Sequence, residues 1–127
     1  MRVKQTNKTD AICATKILKH IQSVRDAFAI FKIKSSADFL SSHICQLAVA
    51  QAMTNVFELR KKLREEVVDN MPHFGRLRLK ATRNIASHDY DSLDFAILFK
   101  QTQQLLDSEV NKELEALRDD KLSDSSD

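Results

Sequence analysis

Gly75 and Pro72 are the only glycine and the only proline among 127 residues. A sheet protein of this length needs many tight hairpin turns, and their positive-φ positions fall mainly to glycine. A chain with one of each lacks that material, so the first expectation is an all-α fold. The length suits one domain that can bury a core without metals or disulfides. With 43% apolar and 30% charged residues, the composition is that of a soluble helical protein.

The apolar residues recur at helical steps. Thr9 or Asp10 is expected to cap a first helix carrying Ile12, Ile17, Leu18, Ile21, Val24, Phe28 and Phe31. Ser36 marks a new cap and a short turn. A long second helix is expected from His43 to Val68, with one stripe on Ile44, Leu47, Ala48, Ala52, Val56, Leu59 and Leu63. Val49, Met53 and Phe57 form a second stripe. Two apolar faces on one helix point to a central bundle helix or to a dimer interface. Pro72 ends that run and opens a third helix over His73 to Ser87, whose inner side holds Leu77, Ala81, Ile85 and His88. Asp91 is expected to cap a fourth helix from Ser92 to Arg118, on Leu98, Leu105, Leu106, Val110, Leu114 and Leu117. The predicted architecture is an up-and-down four-helix bundle with short extra turns, over residues 9–118. Residues 1–8 are expected to be a flexible segment and 119–127, rich in Asp and Ser, a disordered acidic tail.

No apolar run approaches the roughly 20 residues of a membrane span, and "MRVKQTNKTD" lacks the apolar core of a signal peptide. A cytoplasmic location is expected. Cys13 and Cys45 sit inside apolar helical patterns without the partners of a zinc site, so they are read as buried thiols. The net charge of +2 does not by itself announce a nucleic-acid binder. The acidic tail nevertheless leaves the folded part more basic than the total suggests.

The stretch "RNIASHDYDSLD", Arg83 to Asp94, bears most on function. A structural account is available for it. His88 meets the negative end of a helix macrodipole. Tyr90 before an Asp91 cap and Phe95 after it have the spacing of a hydrophobic staple. Arg76, Lys80 and Arg83 then form a solvated face. A chemical account stands beside it. Arginine offers a planar, permanently charged fork that matches phosphate oxygens, and histidine exchanges protons near neutrality. Together they supply what metal-free RNA cleavage needs: a group to neutralise the phosphate, and another to move protons as the ribose 2′-hydroxyl attacks. Asp89, Asp91 and Asp94 resemble a calcium loop only loosely, with no glycine at its turn, so no metal is expected.

Arg83, Asn84, His88 and Tyr90 form an Arg-Asn-x-x-x-His-x-Tyr pattern that resembles the signature of the HEPN superfamily, most closely the HepT-like toxins. "ILKHIQSV", the Pro72–His73–Phe74 entry and "HDYDSLDFAILFKQTQQLL" extend the likeness over about residues 10 to 115. The resemblance implies that Arg83 and His88 are catalytic, with Asn84 supporting them. It also implies a homodimer whose two motifs share one RNA-cutting site, without metal or cofactor, leaving a cyclic phosphate and a 5′-hydroxyl. In HepT-like systems an MntA-like nucleotidyltransferase antitoxin attaches AMP to the motif tyrosine, matched here by Tyr90. A phosphodiester placed there comes within reach of Arg83 and takes the place of an RNA phosphate.

Ser87 is more polar than the pattern's residue before the histidine, and "RLRLKAT" is more basic than its usual lead-in. Arg76 and Lys80 are accordingly expected to hold RNA phosphates, in a salt-sensitive way. The expected partners are transfer or messenger RNA, the nucleotidyltransferase and a second copy, with neither DNA nor a membrane among them. Without interleaved aromatics, weak base discrimination is expected. Lys61, Lys62 and Lys100 are read as solvated charges. Two rivals stand beside this reading. One is a non-catalytic, nucleotide-gripping subunit of a nucleotidyltransferase, in which His88 is only a cap. The other is a plain helical adaptor.

Overall fold

The computed structural model describes residues 8–77 and 94–120. Among these residues it holds seven helices and no strand. In chain order they are α1 (Lys8–Ile30), α2 (Ser36–Leu40), α3 (His43–Lys61), α4 (Glu65–Asp69), α5 (Pro72–Gly75), α6 (Phe95–Leu105) and α7 (Ser108–Arg118). The all-α expectation holds. α1 packs along α3 and α7, and α6 closes the bundle against α2 and α3.

The core face of α1 is Cys13, Ala14, Ile17, Ile21 and Val24, all buried. Ile12 and Phe31, which the periodicity also assigned inward, are exposed. Burial pushes the Cys13 and Cys45 thiols above their ordinary range, which favours the neutral thiol. Where α1, α2 and α6 meet, the Phe28, Phe39 and Phe99 rings stand 5.3–6.0 Å apart between centroids. Edge and tilted contacts of this kind add to the area they bury. Gln46 enters the same region from α3, and its Nε2 donates to the Phe39 and Leu40 carbonyls at 3.0 and 2.9 Å. Both carbonyls lie in the last turn of α2, where helical donors run out, and the Phe39 carbonyl also accepts from the Ser42 N–H at 3.1 Å.

The predicted boundaries shift in several places. Asp10 is no cap. It lies inside α1, 1% exposed, and accepts from Nε and Nη2 of Arg64 at 3.0 and 2.6 Å. α1 ends without glycine: Lys32 takes φ 56°, and Ile33 N–H donates to the Phe28 carbonyl at 2.8 Å. This is a Schellman closure with lysine in the left-handed position. α2 is capped by Ser35, not Ser36, through its hydroxyl and the Asp38 N–H.

The second helix stops at Lys61 instead of Val68. Arg64 adopts extended backbone, ψ 145°, so that its guanidinium reaches Asp10 54 positions earlier, and α4 starts anew behind it. The fourth helix begins at Phe95, where Asp94 caps Ala96 and Ile97 at 3.0 and 3.2 Å. The predicted cap Asp91 and the predicted staple residue Tyr90 lie outside the described residues. That helix also breaks in two at Leu106. There Asp107 caps α7 through the Glu109 N–H at 2.7 Å, and Arg25 of α1 donates to the Leu106 carbonyl. The inward residues Leu98, Leu105, Val110, Leu114 and Leu117 are buried as expected.

On α3, Val49, Ala52, Met53, Val56 and Leu59 are buried, whereas Ile44, Leu47 and Ala48 face outward. Ile44 is 66% exposed. Lys61, Lys62 and Lys100 are exposed, as expected, and Lys61 lies over the Phe57 ring. The expected terminal segments fall outside the described residues, apart from Lys8, Asp119 and Asp120.

Candidate functional site

The lone proline and the lone glycine stand at the two ends of one turn. Pro72 opens α5, where its missing N–H costs nothing, and Gly75 closes it. What favours glycine at position 75 is close approach, not a left-handed φ. A Cβ there would sit 3.2 Å from the Val68 carbonyl oxygen and 3.4 Å from its Cγ1.

This turn is held from two sides. Met71, at the cap position, has no side-chain acceptor to offer, and Glu113 of α7 replaces it. The Glu113 carboxylate accepts from the backbone N–H groups of His73 (3.1 Å) and Phe74 (2.8 Å). Its Oε2 also lies 3.0 Å from His73 Nδ1. On the opposite side Arg60 of α3 donates to the Gly75 carbonyl at 3.1 Å and to the Leu77 carbonyl at 3.0 Å. Its guanidinium stands 5.7 Å from the centre of the buried Phe74 ring. A charged donor and a charged acceptor therefore fix the backbone up to Leu77, from which the chain enters the motif segment.

The same contacts correct the predicted third helix. The carbonyls of Gly75 and Leu77 are turned to Arg60, and α5 ends at Gly75 with Arg76 as its cap. A continuous helix from His73 is absent. Of the predicted site residues, Arg76 is described. It is exposed, and its Nε donates to the Pro72 carbonyl at 3.2 Å. Lys80, Arg83, Asn84, His88 and Tyr90 lie at 78–93, outside the described residues, and so does Asp91.

A groove of about 350 Å³ opens between α5 and the α6–α7 junction, lined by His73, Arg76, Leu77, Gln104, Asp107 and Val110. Its floor is apolar, with Leu77 and Val110 nearly buried. Its rim is polar and mixed in charge. The His73 side chain is 42% exposed, and its ring is tethered through Nδ1 to Glu113, which is 14% exposed. Arg76 brings a fixed positive charge and Asp107 a carboxylate. Among the described residues no group of three or more His, Cys, Asp or Glu side chains is placed to hold a metal ion.

Sequence reasoning singled out His73 only as part of an entry pattern, and it missed Gln104, Asp107 and Glu113. The capping preference of aspartate was the available signal for Asp107. No local signal marks Glu113, because its partners are about 40 positions away.

No curated protein and no solved structure matches the chain. The family model described as ribonuclease HepT-like matches residues 17–117, a span from the middle of α1 to the last turn of α7 that takes in both the Glu113–Arg60 clamp and Arg83-Asn84-x-x-x-His88. The chain therefore belongs to the ribonuclease HepT-like family, and RNA cleavage is the activity that goes with that membership.

Proposed function

We propose that this protein is the toxin of a toxin–antitoxin pair, a metal-independent endoribonuclease that works as a homodimer in the cytoplasm. The observation that carries the reading is the Arg83-Asn84-x-x-x-His88 pattern inside the matched span. Residues 9–118 form its single working domain. Among the described residues no helix is long and apolar enough to cross a membrane. The outward Ile44, Leu47 and Ala48 share one face of α3 at three- and four-residue steps, which supports pairing of two copies.

In this mechanism the Arg83 guanidinium grips two oxygens of the scissile phosphate and offsets the charge that builds there. A neutral His88 takes the proton of the ribose 2′-hydroxyl, whose oxygen forms a new bond to phosphorus. The bond to the 5′-oxygen breaks, and a protonated His88 of the second copy supplies the proton for that leaving oxygen. The products are a 2′,3′-cyclic phosphate and a 5′-hydroxyl. Asn84 supports the pair by hydrogen bonding. Arg76 and Lys80 hold flanking phosphates, consistent with the exposure of Arg76 at the rim of the groove.

Silencing follows from Tyr90. A nucleotidyltransferase antitoxin of the MntA-like kind transfers AMP from ATP to the tyrosine oxygen, releasing pyrophosphate, and the new phosphodiester occupies Arg83. Incubation of the wild-type protein with its cognate nucleotidyltransferase and ATP is expected to add AMP and to stop RNA cleavage. Tyr90→Phe is expected to keep cleaving at the wild-type rate and to gain no AMP by mass spectrometry. AMP found on another residue of the variant contradicts the assignment.

A further inference from the structure

We propose that the groove between α5 and the α6–α7 junction holds one nucleotide of single-stranded RNA and selects bases that carry an exocyclic amino group. The inference rests on the ribonuclease reading and adds to it a substrate preference that the basic residues cannot supply. It also replaces the expectation of weak discrimination, which followed from the lack of aromatics interleaved with the basic run.

Four features of the groove carry the proposal. Its volume, about 350 Å³, is in the range of small-ligand pockets and takes a single nucleoside. Leu77 and Val110 form an apolar floor for the face or edge of a base. His73 adds an exposed aromatic ring that Glu113 restrains through Nδ1, and single-stranded RNA is commonly read by stacking on such rings. Arg76 adds a fork for the adjoining phosphate.

The selecting group is Asp107. Its Oδ1 is fixed by the Glu109 N–H at 2.7 Å, so the carboxylate is positioned by the start of α7 before any ligand arrives. An ionised carboxylate only accepts hydrogen bonds. Cytosine, adenine and guanine each present an amino group to it. Uracil presents two carbonyl oxygens flanking a single N–H, and those oxygens are repelled. Gln104, whose amide makes no hydrogen bond among the described residues, supplies both a donor and an acceptor to the same base. In the sequence, Leu77 stands six positions before Arg83.

The test is fluorescence anisotropy of the full chain with labelled oligocytidylate, oligoadenylate and oligouridylate RNA of about ten nucleotides, at one fixed salt concentration. The wild-type protein is expected to bind the cytidine and adenosine oligomers about tenfold more tightly than the uridine oligomer. Asp107→Asn keeps the helix cap, since asparagine caps as well as aspartate, but its amide can donate to a uracil carbonyl. It is expected to reduce the ratio to about twofold, chiefly by gaining uridine affinity. Gln104→Ala, at an exposed position outside any cap, is expected to weaken cytidine and adenosine binding several-fold.

Equal binding of the three oligomers by the wild type, or no RNA binding, overturns the proposal. A ratio that Asp107→Asn leaves unchanged overturns it too, and so does cytidine binding that Gln104→Ala leaves unchanged. Because the readout is binding, a protein that discriminates bases yet leaves RNA intact keeps the subsite and removes the nuclease mechanism. One that cuts RNA without base preference does the reverse.

Discussion

His88→Ala is expected to lower the rate of RNA cleavage by about a thousandfold or more, while the protein keeps its helical circular dichroism and its affinity for RNA. The size follows from the role. Attack by the 2′-hydroxyl needs a proton removed and a leaving oxygen protonated in the same displacement, and water at neutral pH does both poorly. A thousandfold loss corresponds to about 4 kcal/mol of transition-state stabilisation.

A residue that only closes a helix end behaves differently. Its removal weakens folding by about 1 kcal/mol and leaves the chemical step alone in the protein that remains folded. The split between kcat and KM therefore separates the two accounts. Loss confined to kcat supports the proton-transfer role. A rise in KM with an unchanged kcat returns His88 to a structural or nucleotide-gripping one. Single-turnover cleavage of a labelled RNA, with circular dichroism on the same sample, reads both.

The second large effect is on stability. Arg64→Met is expected to destabilise the fold by about 3 kcal/mol, because it withdraws two charge-assisted hydrogen bonds from a carboxylate that is 1% exposed. For a domain of this size that lowers the thermal midpoint by on the order of 10 °C. Asp10→Asn is expected to cost less. Arg64 is 36% exposed and retains Glu66 at 2.9 Å, so losing the Asp10 charge leaves it hydrated and still paired. Thermal unfolding of both variants checks the order as well as the size. If Asp10→Asn proves the more damaging, the buried carboxylate is not where the cost resides.

That ion pair also shows where the sequence was readable and where it was not. The core stripe of α1 and the Leu98, Leu105, Val110, Leu114 and Leu117 series could be read directly, because burial in a bundle imposes helical spacing on neighbouring residues. The breaks in the long helices could not. Leu59 and Leu63 continue the apolar period of α3 into Lys62–Arg64, and only the distant Asp10 shows why the helix stops there. Lys32 closes α1 in a position that usually belongs to glycine, so the common stop signal was missing. At Asp107 the signal was present, but the apolar period running through Leu106 to Val110 outweighed it.

The site divides in the same way. Chemistry carried by adjacent letters, from Arg83 to Tyr90, could be recognised as a motif. The clamp that positions its entry could not, since Arg60, Glu113 and the turn at Pro72–Gly75 come from three parts of the chain. Placing Arg76, Lys80 and Arg83 on one helical face assumed an unbroken helix from His73. The turn of the Gly75 and Leu77 carbonyls toward Arg60 removes that assumption.

The most direct measurement is cleavage of a defined RNA by the purified wild-type chain in excess chelator, beside the same RNA carrying a 2′-deoxyribose at each mapped cut. The account predicts that the RNA is cut, with a cyclic phosphate on one fragment and a 5′-hydroxyl on the other, and that every deoxy-substituted position is spared. Cutting at the deoxy positions, or cutting that stops when divalent ions are chelated, contradicts it.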